Sequence, residues 1–263
     1  MIRVLVTGAA GRMGSEVVRA VTAAEGMQVV AAVDPNAVGK LVDDGAGGTI
    51  ECVASLTAAI ADVRPDVMVD FTHPSAVEGN LCTALLAGVD CVLGTTGLSE
   101  ERLAELVAEA PSKTCLFFAP NFAIGAVLMM QFAERAARFM PHVEVIELHH
   151  DKKADAPSGT AIRTARMIAA ARSEVPPAPG DETELDGMDG ARGAVVDEVR
   201  VHSVRLPGLV AHQEVLFGGQ GQTLSLRHDS IDRTSFMPGV VLACREVGKH
   251  SGLVVGLEKL MGE

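Results

Sequence analysis

The first half of the chain alternates short apolar runs with amphipathic stretches. Runs of four to six residues at Ile2–Thr7, Gln28–Val33, Asp66–Phe71, Asp90–Leu93 and Thr114–Ala119 are rich in valine, as strands covered on both faces should be. Between them lie helical patterns over Arg12–Ala24, Leu56–Asp62, Ser75–Ala87 and Glu100–Glu109. Such alternation requires right-handed crossovers and a parallel sheet. Residues 1–122 are therefore expected to form a doubly wound α/β domain.

The pattern changes after Asn121. A long helix is expected over Ile124–Met140, then a strand at Val143–Leu148 and a helix at Ala161–Ala171. Pro176–Gly193 is rich in proline, glycine and acidic residues and reads as a mobile surface loop. Strand-like runs follow at Glu198–Arg205, Val210–Phe217 and Thr223–Arg227. With Val143–Leu148 they predict a mixed sheet, so residues 123–232 form a smaller α+β domain. The last helix, Ser235–Val247, is expected to return residues 233–263 to the first domain.

Composition narrows the function. The 263 residues are 48% hydrophobic and 21% charged, with a net charge of −12, which argues against disorder and against nonspecific binding to nucleic acid or anionic membranes. No apolar run reaches the roughly 20 residues of a membrane-spanning helix. The chain opens directly on a strand, so no cleavable signal is expected and the cytoplasm is the default compartment. Cys52, Cys82, Cys91, Cys115 and Cys244 are scattered and never spaced C-x-x-C, as packing cysteines of a reducing compartment would be. There is no tyrosine, which excludes short-chain-type dehydrogenase chemistry through that side chain.

Gly8-Ala9-Ala10-Gly11-Arg12-Met13-Gly14 follows a strand and opens a helix. Dinucleotide binding needs a tight turn, backbone that can touch a pyrophosphate, and a helix N-terminus aimed at its charge. The spacing is G-x-x-G-x-x-G, with Ala10 where the usual fingerprint has its second glycine. Asp34 ends the second strand and either meets the adenosine ribose hydroxyls or closes a turn with Pro35. Turn, strand and acid together predict a Rossmann-type nicotinamide site. A carboxylate favours NADH, but Arg12 could cover a 2′-phosphate, so NADH and NADPH are both expected cofactors. Gly94-Thr95-Thr96-Gly97 and Ala119-Pro120-Asn121-Phe122 end later strands at the same sheet edge. Each is either cofactor-facing backbone, with Asn121 on the carboxamide, or an ordinary loop.

The chemistry gathers in Glu147-Leu-His-His-Asp-Lys-Lys-Ala-Asp-Ala-Pro-Ser-Gly-Thr160. His149 and His150 are adjacent, and residues adjacent on a strand face opposite ways unless the strand breaks there. Histidine can donate or accept a proton near neutral pH, and Lys153 adds fixed positive charge. Ser158-Gly159-Thr160 caps a helix whose first N–H groups make an anion site. No histidine partner stands at the helical spacing of a zinc motif, so no metal is expected. Glu78, His73, His202, His212 and Asp229 read as structural or interfacial.

The chain resembles the 4-hydroxy-tetrahydrodipicolinate (dihydrodipicolinate) reductase family. The resemblance is carried by Gly8–Gly14, Phe71-Thr-His-Pro74, Gly94–Gly97, Ala119–Phe122, Glu147–Thr160, Gly190-Ala-Arg-Gly193 and Arg227-His-Asp-Ser230 through Phe236. It implies a cytoplasmic homotetramer, paired through its second domain, that reduces a cyclic dicarboxylate with NADH or NADPH in lysine and diaminopimelate biosynthesis. By the same resemblance His149 is the proton donor or acceptor, Lys153 the second catalytic group and His150 a substrate ligand. Gly159 and Thr160 grip a substrate carboxylate. Some members carry an arginine directly after the ribose-binding acid; here that place is Pro35. Members also often have histidine or proline where this chain has Asp151 and Lys152.

Other two-domain dehydrogenases of amino-acid metabolism share a Rossmann half but not the His-His-x-x-Lys…Ser-Gly-Thr string. An NADH-binding redox sensor would need a DNA-binding module or partner surface, and no basic helix suggests one.

Overall fold

Short valine-rich runs flanked by glycine and polar residues are too brief for buried helices and instead become strands with both faces covered. The computed structural model describes residues 1–172, 174–176 and 190–262. It begins with β1 (Ile2–Thr7), α1 (Gly14–Ala23), β2 (Met27–Val33) and a short hairpin, β3 (Leu41–Asp43) and β4 (Thr49–Val53). Next come α2 (Leu56–Val63), β5 (Val67–Asp70), α3 (Pro74–Leu86), β6 (Asp90–Leu93), α4 (Glu100–Ala108) and β7 (Cys115–Phe118). They are followed by α5 (Ile124–Ala137), β8 (His142–His149), α6 (Gly159–Ala171), β9 (Ala194–Val196), β10 (Val199–Arg205), β11 (Ala211–Gly219) and β12 (Gln222–Ser230). The last are α7 (Met237–Glu246) and β13 (Gly252–Val255). Of the expected loop Pro176–Gly193, residues 177–189 lie outside the described residues.

The chain divides into two units: unit 1 holds Met1–Ile124 and Arg233–Glu263, and unit 2 holds Gly125–Asp232. Unit 1 is built on an eight-stranded sheet in the order β13-β7-β6-β5-β1-β2-β4-β3. Every pairing is parallel except β3 with β4. The chain leaves β1 for β2 on one side and reaches β5 on the other, so the strand order reverses between β1 and β5. In open α/β sheets that reversal marks the crevice where ligands bind.

The strands β5 and β7 are buried along their whole length. Helices present inward stripes at helical spacing: Val17, Val18 and Val21 of α1, Val77, Leu81 and Leu85 of α3, and Leu103, Leu106 and Val107 of α4. Ser55, His73 and Ser99 accept N–H bonds at the starts of α2, α3 and α4, as N-cap side chains do. Arg102 braces α3 from α4 through Glu78, and His73 serves as the α3 cap. Burial pushes the Cys115 and Cys244 thiols up to about 12, so they pack as small apolar groups.

Three strands of this sheet were not expected. β3 and β4 are only three and five residues long, and β13 is four residues beyond the last helix. Their place comes from pairing with neighbouring strands, which local pattern does not reveal.

Unit 2 has a five-stranded mixed sheet, β12-β11-β8-β10-β9. The central β8 runs parallel to β10 and antiparallel to β11. Helix α6 packs on β8 and β10 and buries Ala161, Thr164, Ala165 and Ile168 toward the sheet residues Val145, Val201 and Val215. On the same sheet, His202 meets Glu144 at 2.7 Å and His212 meets Asp229 at 2.6 Å. No helix among the described residues is long and apolar enough to cross a membrane.

Ile168 is fully buried between α6 and the sheet. Ile168→Ala is expected to lower unfolding stability by about 2–5 kcal/mol, read as a reduced urea midpoint at unchanged slope.

Candidate active site

In unit 1 the turn after β1 is shaped by backbone. Gly8 has φ of +68°, and a Cβ there would come within 3.0 Å of the Phe71 carbonyl oxygen after β5. A Cβ on Gly14 would run into the Gly8 carbonyl. One on Gly11 would meet only that same carbonyl, at 3.1 Å, so this side of the turn is open to an approaching phosphate. Helix α1 starts at Met13 with no side-chain cap, and its first N–H groups lie beside the opening. Ala9 is buried, and Arg12 is exposed.

Asp34 follows β2 and accepts from the Ala10 N–H at 3.2 Å and the Asn36 N–H at 3.1 Å. It therefore closes the turn with Pro35, one of the two expected roles, and it also fastens the glycine loop, which was not expected. Lys40 donates to the Ala10 carbonyl at 3.4 Å, a cation that sequence spacing did not single out.

Asp70 was also overlooked. Its carboxylate is wholly buried at the end of β5 and is held by neutral donors: Thr7 Oγ1 at 2.9 Å, Thr72 N at 2.9 Å, Asn80 Nδ2 at 2.8 Å and Thr95 Oγ1 at 3.1 Å. The Thr95 hydroxyl thus points into this network, while Thr96 is exposed. A Cβ on Gly94 would fall on the Phe71 ring, and Phe71 stacks at a tilt on Phe122 with centroids 5.6 Å apart. Ala119 is buried and Pro120 exposed, and the Asn121 side-chain carbonyl accepts the Ala123 N–H at 2.8 Å. The three loops named from sequence thus meet at one edge of the unit 1 sheet.

In unit 2, β8 ends at His149, so the two histidines are divided by the strand end. His149 stays on the sheet face under α6, with Nδ1 2.5 Å from Glu147 Oε2, while His150 is exposed and its carbonyl accepts the Lys153 N–H at 3.2 Å. Lys153 Nζ bonds both oxygens of Asp155 at 2.8 Å. Ser158 caps α6 by accepting the Ala161 N–H at 3.2 Å. Gly159 has nothing within 4 Å of where a Cβ would stand, so its backbone is approachable. The Thr160 carbonyl accepts Thr164 Oγ1 at 2.8 Å, and Thr164 in turn accepts Gln213 Nε2 at 2.7 Å.

Beneath these groups lies Glu147, fully buried and bonded by Arg205 through both terminal guanidinium nitrogens at 2.8 Å. Burial alone would raise its carboxyl, but bonds from His149, Arg205 and Ser203 outweigh that and hold it at about 2. Neither Glu147 nor Arg205 received a role from sequence. The available signal was an acid two residues before His149 in the same strand, hence on the same face. A cavity of about 480 Å³ in unit 2, lined among others by Arg172, Arg192 and Arg200, includes none of these groups. Among the described residues no cluster of three or more histidine, cysteine or acidic side chains could hold a metal.

Two family models match the chain: "Dihydrodipicolinate reductase, N-terminus" over residues 2–122 and "Dihydrodipicolinate reductase, C-terminus" over residues 125–261. The chain is 52% identical over 263 residues to a 4-hydroxy-tetrahydrodipicolinate reductase of Mycobacterium sp. (strain KMS), covering 99% of each. It is 51% identical to the reductase of Syntrophomonas wolfei, covering 98% of each. The dipicolinate-bound dihydrodipicolinate reductase of Paenisporosarcina sp. TG-14 superposes with a TM-score of 0.85 at 44% identity, over 99% of this chain and 100% of that one.

The depressed Glu147 carboxyl ties stability to pH. Its contribution is complete above about 4.5 and fades as pH falls toward about 2. Urea unfolding across that window is expected to show a shallower loss for Glu147→Gln than for the parent; parallel slopes would remove Glu147 from the acid response.

Proposed function

The chain belongs to the dihydrodipicolinate reductase family, and from this we propose that unit 1 holds NADH or NADPH while unit 2 binds and protonates the substrate. The reaction is the reduction of 4-hydroxy-tetrahydrodipicolinate in lysine and diaminopimelate biosynthesis, which makes the protein an oxidoreductase. The carrying observation is the grouping after β8 of an imidazole held at Nδ1, an ammonium and the approachable start of α6. Dipicolinate, the planar dicarboxylate bound by the Paenisporosarcina enzyme, is of the size and charge such a grouping would hold.

Gly8, Ala9, Ala10, Gly11, Arg12 and Met13 would carry the cofactor pyrophosphate at the start of α1, with Asp34 at the ribose. Gly94, Thr95 and Thr96 would line the nicotinamide side with Ala119, Pro120, Asn121 and Phe122. The bound cofactor would supply a hydride to the unsaturated ring left when the 4-hydroxyl departs as water. His149 delivers the proton that completes the addition. Lys153 exchanges Asp155 for a substrate carboxylate, and Gly159 and Thr160 grip a carboxylate at the helix start. The exposed His150 adds a further ligand. Fixed charge at Lys153 and the α6 N-terminus offsets the negative charge that builds on the ring during hydride addition. The homotetramer, formed through unit 2, and the cytoplasmic location belong to the same reading.

With Pro35 in place of arginine, Lys40 and Arg12 are the cations available to a 2′-phosphate. Lys40→Ala is expected to lower kcat/KM for NADPH about fivefold, the scale of an exposed ion pair, with little change for NADH; equal effects on both cofactors would remove Lys40 from phosphate binding.

The whole reading is tested by following NAD(P)H oxidation when pyruvate, aspartate semialdehyde and the upstream synthase are supplied together. His149→Gln should lower kcat by about 10²–10⁴-fold with NADH binding retained. Lys153→Ala and Thr160→Val should raise KM for the dicarboxylate. Parent-like turnover in all three would discredit the unit 2 site.

A further inference from the structure

Glu147 stands two residues before His149 on the same face of β8 and reaches no solvent. Both oxygens are engaged. Oε2 meets His149 Nδ1 at 2.5 Å and accepts Arg205 Nη1 at 2.8 Å; Oε1 accepts Arg205 Nη2 at 2.8 Å and the Ser158 N–H at 3.2 Å. Ser203, its register partner on β10, adds a side-chain bond. Gln213, its register partner on β11, and Thr164 of α6 are uncharged. The charged and titratable groups around this carboxylate are thus His149 and Arg205.

An ionised carboxylate can only accept hydrogen bonds. The proton shared with His149 therefore sits on Nδ1, leaving Nε2 as the nitrogen that can serve a substrate. Arg205 has a separate part. When His149 gives up a proton, the buried carboxylate would lose its second cation; the bidentate guanidinium keeps it ionised throughout. Ser158 ties the same carboxylate to the α6 cap, so the imidazole and the helix start share one anchor.

We propose that Glu147 is the positioning residue of the catalytic histidine, selecting its Nδ1–H tautomer and aiming Nε2. The proposal rests on the reading of His149 as the proton donor. Strand geometry alone would not hold the ring, because β8 ends at His149 and the chain turns at once toward Lys153.

The test measures kcat against pH for the parent, Glu147→Gln, His149→Gln and the double variant, with calorimetric binding of pyridine-2,6-dicarboxylate as the check on the pocket. Glu147→Gln should lose about 10²-fold in kcat while still binding the dicarboxylate. Its pH profile should differ from the parent's, because the carboxylate that fixes the ring's tautomer is gone. The double variant should be no slower than His149→Gln. Parent-like turnover of His149→Gln would remove the premise. A slow His149→Gln beside a Glu147→Gln with unchanged kcat and pH profile, or losses that multiply in the double variant, would overturn the proposal alone. Should Glu147→Gln not fold, ¹⁵N-histidine spectra of the parent enzyme decide. His149, assigned by its absence in His149→Gln, should carry its neutral-ring proton on Nδ1; a proton on Nε2 would overturn the proposal.

Discussion

A carboxylate shut away from water must find its whole hydrogen-bond shell in the protein, because an unpaired buried charge costs several kcal/mol. Each unit is organised around one such group. In unit 1, Asp70 draws Thr7, Thr72, Asn80 and Thr95 to the end of β5. In unit 2, Glu147 draws His149, Arg205 and Ser158 together under α6. Both lie near the carboxyl end of a strand, beside the loops proposed to hold cofactor and substrate.

The two shells differ in kind. Neutral donors surround Asp70, so its effect is geometric: it stitches the loops after β1, β5 and β6 into one surface beside the glycine turn. Glu147 is balanced by an arginine and a histidine, so its charge bears directly on the proposed proton donor. The unit 1 site is thus mostly shaped backbone, where Gly8 and Gly14 admit no side chain, and the unit 2 site is mostly charge.

Much of this was legible in the sequence, because the valine runs and helical stripes obey local periodicities. The glycine turn, Asp34 and the Glu147–Thr160 segment are contiguous, and contiguity is what a sequence displays. Lys40, Asp70 and Arg205 were not legible. Arg205 comes from β10 and reaches Glu147 only through strand pairing, and Lys40 meets Ala10 only because the chain folds back after β2. The short strands β3, β4 and β13 are hidden for the same reason: their conformation is imposed by neighbours. Asp34 shows both cases, since its turn with Pro35 is local and legible while its bond to the Ala10 N–H crosses from β2 to the glycine loop.

The pleat of β8 has a last consequence. Glu147 lies between Ser203 and Gln213, and His149 between Arg205 and Ala211. Side chains alternate with a period of two, so a slip of β8 by one residue would send both out to the opposite face and bring Leu148 beneath the helix. On the proposed role of His149, a misthreaded sheet would be a silent enzyme as well as a poorly packed one. Turnover itself reports that the central strand has found its proper partners.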